Sequence, residues 1–322
     1  MSVVEQVTRT RTTNPLRSRT AVRRFLEGPG LTPANLSMVL LVTEEEDKRP
    51  LPTLTVSQIP AAMREIRAHG IRSVKVFAES TVRDDTAAFS VTPDSLMARA
   101  VRAAKETEPD IAVMTETCLC SYTDTGHCYL GDRHGRPDIA ATIDITSRQA
   151  VAHAAAGADI VGPASMVTGT VKGAREALNS TGHESVSIMP HVIFWSTLYD
   201  GFRRTMGATP KAGTDREFQI SPGKPEQFIG TSLDCLRDGA DMLLLEPALF
   251  CADVLAELKK RTLAPLFPFS VSGEYTDLTH VDARTGERDV RRLVELFTML
   301  RRAGADACIT YAALDIARYL NR

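Results

Sequence analysis

The chain has 322 residues, 43% hydrophobic and 24% charged, with a formal net charge of -2. That is enough apolar material for a sizeable core, and the charge balance argues against nucleic acid or an anionic membrane as a main partner. No apolar run approaches the ~18 residues of a membrane span, and the first residues lack the apolar centre of a signal peptide; a cytoplasmic protein is expected.

Residues 1–35 read as an extended N-terminal arm. It carries Arg9, Arg11, Arg17, Arg19, Arg23 and Arg24, and Pro15 and Pro29 interrupt any long helix. Such an arm is either solvated or wrapped around a neighbouring subunit. Strands and helices then alternate. Strands are expected at 37–43, 73–77, 110–116, 158–163, 186–194, 240–246, 264–272 and 305–311. Helices are expected at 59–69, 93–105, 145–156, 171–179, 225–238, 251–261 and 288–303, with one more closing the chain. An irregular stretch, about 199–225, reads as a lid. Three units open on Gly-Ala-Asp: Gly157-Ala158-Asp159, Gly239-Ala240-Asp241 and Gly304-Ala305-Asp306. A glycine there ends one helix and lets the next strand begin at once. Eight βα units predict an α/β fold, the (β/α)8 TIM barrel, whose site lies at the C-terminal ends of the strands. No GxGxxG or GxxxxGK[ST] phrase supports a nucleotide-binding alternative.

The third strand runs into Cys118-Leu119-Cys120, with Cys128 eight residues on. Side chains one residue apart in an extended segment point the same way, and a turn through Gly126 can bring the third thiol back. Three soft ligands suit Zn2+ with one position open. Three cysteines alone do not suit an iron–sulfur cluster. His127 is read as a turn histidine, with a ligand or orienting role as the alternative. Cys235, Cys251 and Cys308 are scattered and read as small buried hydrophobes.

The segment TCLCSYTDTGHC resembles the zinc-cysteine loop of the porphobilinogen synthases (5-aminolevulinate dehydratases). The resemblance extends over nearly the whole chain. It takes in Asn14-Pro15-Leu16-Arg17, GADIVGPASM, Tyr199-Asp200-Gly201-Phe202-Arg203, Glu246-Pro247-Ala248, Val271-Ser272-Gly273-Glu274-Tyr275 and Ile309-Thr310-Tyr311. It implies a lyase of the hydro-lyase class that joins two 5-aminolevulinate molecules through Schiff bases on two lysines, at the ends of strands five and six. It also implies a homo-oligomer assembled through the arm.

Both lysines are missing. Glu246 stands at one position and Phe194 at the other, or Ile193 if the gap is placed differently. Lys211 and Lys224 lie in or beside the lid, and Lys75 lies in strand two, read as a lysine at a strand end or packed against a carboxylate rather than as a relocated nucleophile. Glu116 replaces an aspartate of the family, Ala164-Ser165 a Ser-Asp pair, and Thr168-Gly169-Thr170 an Asp-Gly-Arg phrase. The carboxylate grips implied by the resemblance remain: Arg203 or Arg204, with Arg216 and Gln219 in the lid, and Ser272 and Tyr311 at strand ends. A guanidinium suits a planar carboxylate through two parallel hydrogen bonds.

The expected activity is therefore that of a zinc-dependent lyase or condensing enzyme of this family, acting on a small carboxylated, amino-keto acid-like substrate in specialised metabolism. Glu246 and Glu116 are its expected acid–base groups, and Phe194 would shape the pocket. The alternatives are residual 5-aminolevulinate dehydration by another route, and a non-catalytic homologue that binds ligand or modulates an oligomer.

Overall fold

The apolar run LSMVLLV forms the first barrel strand, Leu36–Val42, and all but one of its residues are buried. Both faces of a barrel strand are covered, so such a strand reads as a continuous apolar run. This is a computed structural model, and it describes residues 16–26, 30–211 and 217–322. The chain divides into two compact units, Met1–Leu31 and Thr32–Arg322. The first holds one described helix, Thr20–Leu26, in which Arg23 donates to Arg17 O at 2.7 Å. Arg9 and Arg11 lie outside the described residues.

The second unit is the barrel. Its further strands are Ser73–Ala78, Ala112–Thr117, Ile160–Pro163, a fifth strand in two pieces (Ser187–Ile188 and His191–Ile193), Leu243–Glu246, Leu266–Ser270 and Cys308–Thr310. All pair in parallel. Leu36 sits opposite Cys308, joining first strand to last. The fifth strand closes the circle: Ile188 pairs with Val161 of the fourth strand, and Val192 with Leu245 of the sixth. Pro190 divides the two pieces and has no N–H to donate, but its carbonyl accepts from Leu244 N at 3.0 Å. The expected (β/α)8 barrel is what forms.

Helix starts differ from the sequence reading where a capping residue decides. Asp138 accepts from Ala141 N at 3.0 Å, so that helix begins at Ile139 rather than near 145. Ser95 caps Leu96–Thr107 in the same way. Arg288 and Asp289 pair with His280 and Val281 in a hairpin, which delays the next helix to Arg291–Ala303. The stretch 199–225, expected to be irregular, contains a short helix, Asp200–Thr205.

The three Gly-Ala-Asp phrases form one repeated device at the N-terminal rim. Asp159 accepts from Val113 N at 2.8 Å and Lys105 Nζ at 2.9 Å. Asp241 accepts from Ile188 N and Arg175 Nη2, both at 2.7 Å. Asp306 accepts from Leu266 N at 2.9 Å and Lys259 Nζ at 3.1 Å. Each aspartate of an even strand thus clasps the odd strand before it and the helix before that. The glycine of each phrase has positive φ. At Gly239 and Gly304 a Cβ would come to 3.0 Å and 2.9 Å from the Cγ of the same basic side chain, so the cation's stem fills the place of the missing methyl.

Asp241→Ala strips Ile188 N–H and Arg175 of this acceptor, and urea unfolding should register a loss of about 1–2 kcal/mol. An unchanged midpoint would remove the clasp from the account of stability.

Candidate active site and metal centre

At the C-terminal ends of the strands lies a cavity that is half open to solvent. Its wall mixes aromatic rings, chiefly Phe77, Phe202, Phe269 and Tyr311, with a few polar groups that converge on one space.

Cys118, Cys120 and Cys128 all line it, and their sulfurs lie within 4.8 Å of one another. Cys118 Sγ and Cys120 Sγ are 3.4 Å apart. A tetrahedral zinc with Zn–S near 2.3 Å would set sulfurs about 3.8 Å apart, so the trio fits one ion with small adjustment. Gly126 makes the turn with φ +73°, and a Cβ there would meet Thr209 O at 2.6 Å. Gln149 of the following helix donates to Cys118 O at 3.1 Å and fixes the loop from behind. His127 stacks on Tyr129, with ring centroids 4.9 Å apart, and is not among the clustered ligand atoms. Hydrogen bonds to its two neighbours, then burial, push the Cys118 thiol well above its ordinary range. A divalent cation would offset that by favouring the thiolates.

Across the cavity, Glu246 ends the sixth strand and is buried. Its Oε1 lies 2.8 Å from His191 Nδ1. Burial, then the neighbouring Glu116, pushes the Glu246 carboxyl well above the usual range, against the pull of Lys75. Glu116 lines the same cavity and is half-buried. Lys75 reaches the barrel interior from the second strand, fully buried, and donates to Thr115 O at 2.8 Å. Burial lowers its pKa to about 8, while Glu116 and Glu246 hold it up. Its hydrogen bond goes to a backbone carbonyl, the two carboxylates act on it through their charge, and it is not part of the cavity wall. Among the described residues no lysine lines the cavity.

The carboxylate grips are partly assembled. Arg203, Gln219 and Tyr311 line the cavity. Of the two candidate arginines, Arg203 is buried and lines the cavity, whereas Arg204 is exposed and does not. Arg216 lies outside the described residues. Two expectations are corrected. Phe194 points away from the cavity and stacks on Phe228, with centroids 4.2 Å apart, while Ile193 lines the wall. Alternation along the strand sets this: His191 and Ile193 face inward, so Phe194 faces out. Ser272 is fully buried outside the wall, donating to Leu198 O at 2.8 Å and accepting from Phe202 N at 3.0 Å. It fastens the helix Asp200–Thr205 to the end of the seventh strand.

The other end of that helix is held by charge. Arg49 donates to Thr205 O at 2.5 Å, and Arg83 to Gly207 O at 2.7 Å. Glu79 pairs with both arginines. Cations suit the exposed carbonyls of a helix C-terminus. His191 was missed by sequence reasoning, although its in-phase position two residues before Ile193 was the available signal.

The model of the family described as delta-aminolevulinic acid dehydratase matches residues 9–319. The Escherichia coli K12 delta-aminolevulinic acid dehydratase is 35% identical over 315 residues, covering 94% of this chain and 95% of that one. The Halalkalibacterium halodurans enzyme of the same name is 31% identical over 314 residues, 95% of each. A crystal structure of the Toxoplasma gondii ME49 enzyme, in complex with the reaction product porphobilinogen, superposes with a TM-score of 0.88 at 30% identity, covering 96% of this chain and 92% of that one.

Cys120→Ala should weaken zinc binding by at least roughly 100-fold, beyond what loss of an outer-shell partner causes, when measured by competition with a chromophoric chelator. Undiminished affinity would show that the ion sits elsewhere. Ser272→Ala should leave zinc binding intact and speed proteolysis at the helix Asp200–Thr205.

Proposed function

The chain belongs to the delta-aminolevulinic acid dehydratase (porphobilinogen synthase) family, and we propose that it is a zinc-dependent lyase or condensing enzyme that works without the double Schiff base. Its substrate in this reading is a small carboxylated molecule resembling an amino-keto acid. One observation carries the proposal. The cavity wall offers two carboxylates, Glu116 and Glu246, and three thiols, but no lysine among the described residues.

An amine is needed to form a Schiff base, which would acidify the carbon beside a ketone. Without one, the proton must be moved by general acid–base groups alone. Glu246 suits that work because burial, then Glu116, holds its carboxyl well above the usual carboxylate range. It would alternatively pair with a substrate ammonium. Glu116 is the second carboxylate within the same wall. Arg203 and Gln219, with Tyr311 opposite, would hold the substrate carboxylate, Arg203 by two parallel bonds. Cys118, Cys120 and Cys128 would hold Zn2+, which supplies a Lewis acid for a carbonyl oxygen. The aromatic wall excludes water and strengthens each of these interactions.

The segment about 199–225 would close over the bound substrate as a lid, with Arg216 among its grips. Residues 1–35 would serve self-association into a homo-oligomer, and the protein would be cytoplasmic.

Given 5-aminolevulinate, zinc and a thiol, the protein should form porphobilinogen more slowly than the Escherichia coli relative by at least about 100-fold, the range that a lost catalytic group commonly costs. Borohydride should trap no lysine adduct. Product at the relative's rate, or an adduct mapped to Lys75 by mass spectrometry, would sink this reading in favour of a relocated amine.

A further inference from the structure

His191 lies on the fifth strand, two residues before Ile193 and on the same inward face, and both line the cavity. Its Nδ1 is engaged with Glu246 Oε1 at 2.8 Å. Its Nε2 is buried and has no hydrogen-bond partner among the described residues. A buried polar atom without a partner is costly, and beside a largely apolar pocket with a few converging polar groups it points to a group the pocket is built to receive. Phe77 packs against the imidazole edge-to-face, with centroids 6.3 Å apart, and fixes the ring.

We infer that His191 is a catalytic residue that acts with Glu246 as one proton relay, Nε2 serving the substrate and Nδ1 serving the carboxylate. This rests on the acid–base reading of Glu246. In the forward step a C–H or O–H bond of the substrate breaks and its proton goes to Nε2. The electron pair stays on the substrate. The Nδ1 proton passes to Glu246 Oε1, so the negative charge leaves the carboxylate as it appears on the substrate. The imidazole is neutral before and after. That matters because burial, then Lys75, holds His191 well below its ordinary pKa, so an imidazolium would be a poor intermediate here. The reverse sequence returns the proton and makes Glu246 the acid. The charged groups facing the pair are Lys75 from the second strand, Glu116 from the third, and Glu274 from the helix after the seventh.

Two measurements on the full-length, zinc-loaded protein decide it. In 15N-histidine-labelled protein, His191, assigned through His191→Asn, should carry its proton on Nε2 when Glu246 is protonated and on Nδ1 when Glu246 is ionised. The tautomer should therefore switch as pH rises through the raised titration of Glu246, whereas Glu246→Gln, which does not ionise and whose amide can either donate to Nδ1 or accept from it, should show no switch over the same range. Levulinate in D2O then serves as probe, a keto acid that cannot condense through an amine. His191→Asn keeps a donor toward Glu246 but removes Nε2. It should slow exchange of the protons beside the ketone by about 100-fold while levulinate affinity stays within about twofold. A single tautomer at every pH overturns the relay, as does undiminished exchange in His191→Asn, or wild-type protein that binds levulinate without exchanging it. Rapid porphobilinogen synthesis would sink the non-Schiff-base reading yet leave these two results standing.

Discussion

One ammonium inside the barrel makes the rest of the site possible. Lys75 Nζ faces Glu116 and Glu246 where water does not reach. A carboxylate in an apolar interior gives up its charge unless a cation stands nearby. Three neighbouring strands cooperate to place that cation. The second supplies Lys75, the third accepts from it at Thr115 O, and the fourth makes room with Gly162, where a Cβ would sit 2.7 Å from Nζ. Thr115 also engages His153 through its hydroxyl at 3.1 Å, and burial lowers that imidazole to about 3, so it adds no second positive charge.

The family resemblance puts amines at the mouth of the cavity, on the ends of strands five and six. In this chain the sixth strand ends in a carboxylate and the nearest amine sits beneath the wall. The exchange changes what each charge can do. An amine at the mouth can attack carbonyls, whereas a buried one that donates to a backbone carbonyl within the electrostatic reach of two acids serves as a counterion. Glu246, although buried, lines the pocket and stands where an entering molecule would meet it.

The architecture and the metal loop were legible in the sequence because both rest on short-range rules. Buried strands read as apolar runs, and Cys118, Cys120 and Cys128 declare themselves by spacing. What escaped depended on phase and on partners distant in the chain. Phe194 was assigned to the pocket by position in the family phrase, but strand alternation turned it toward Phe228 and gave its place to Ile193. Ser272 looked like a ligand grip, yet its hydroxyl is taken by Leu198 and Phe202, more than sixty residues earlier in the chain. His191 stood in a run of apolar residues, and only its 2.8 Å approach to Glu246, fifty-five residues on, marks it. The start of the helix at Ile139 turned on the Asp138 cap, which the periodic pattern did not reveal.

The aspartate clasps tie strands three to four, five to six and seven to eight at the end of the barrel opposite the cavity. Structure is therefore secured in pairs of units, by residues that take no part in the chemistry. A mouth so separated from its foundations is free to vary. Two reactive lysines can be lost, and a carboxylate take the place of one of them, without loosening the strands that carry them. The lower rim acts as a chassis, and the same chassis can accept a new reaction whenever the residues at the upper rim are exchanged.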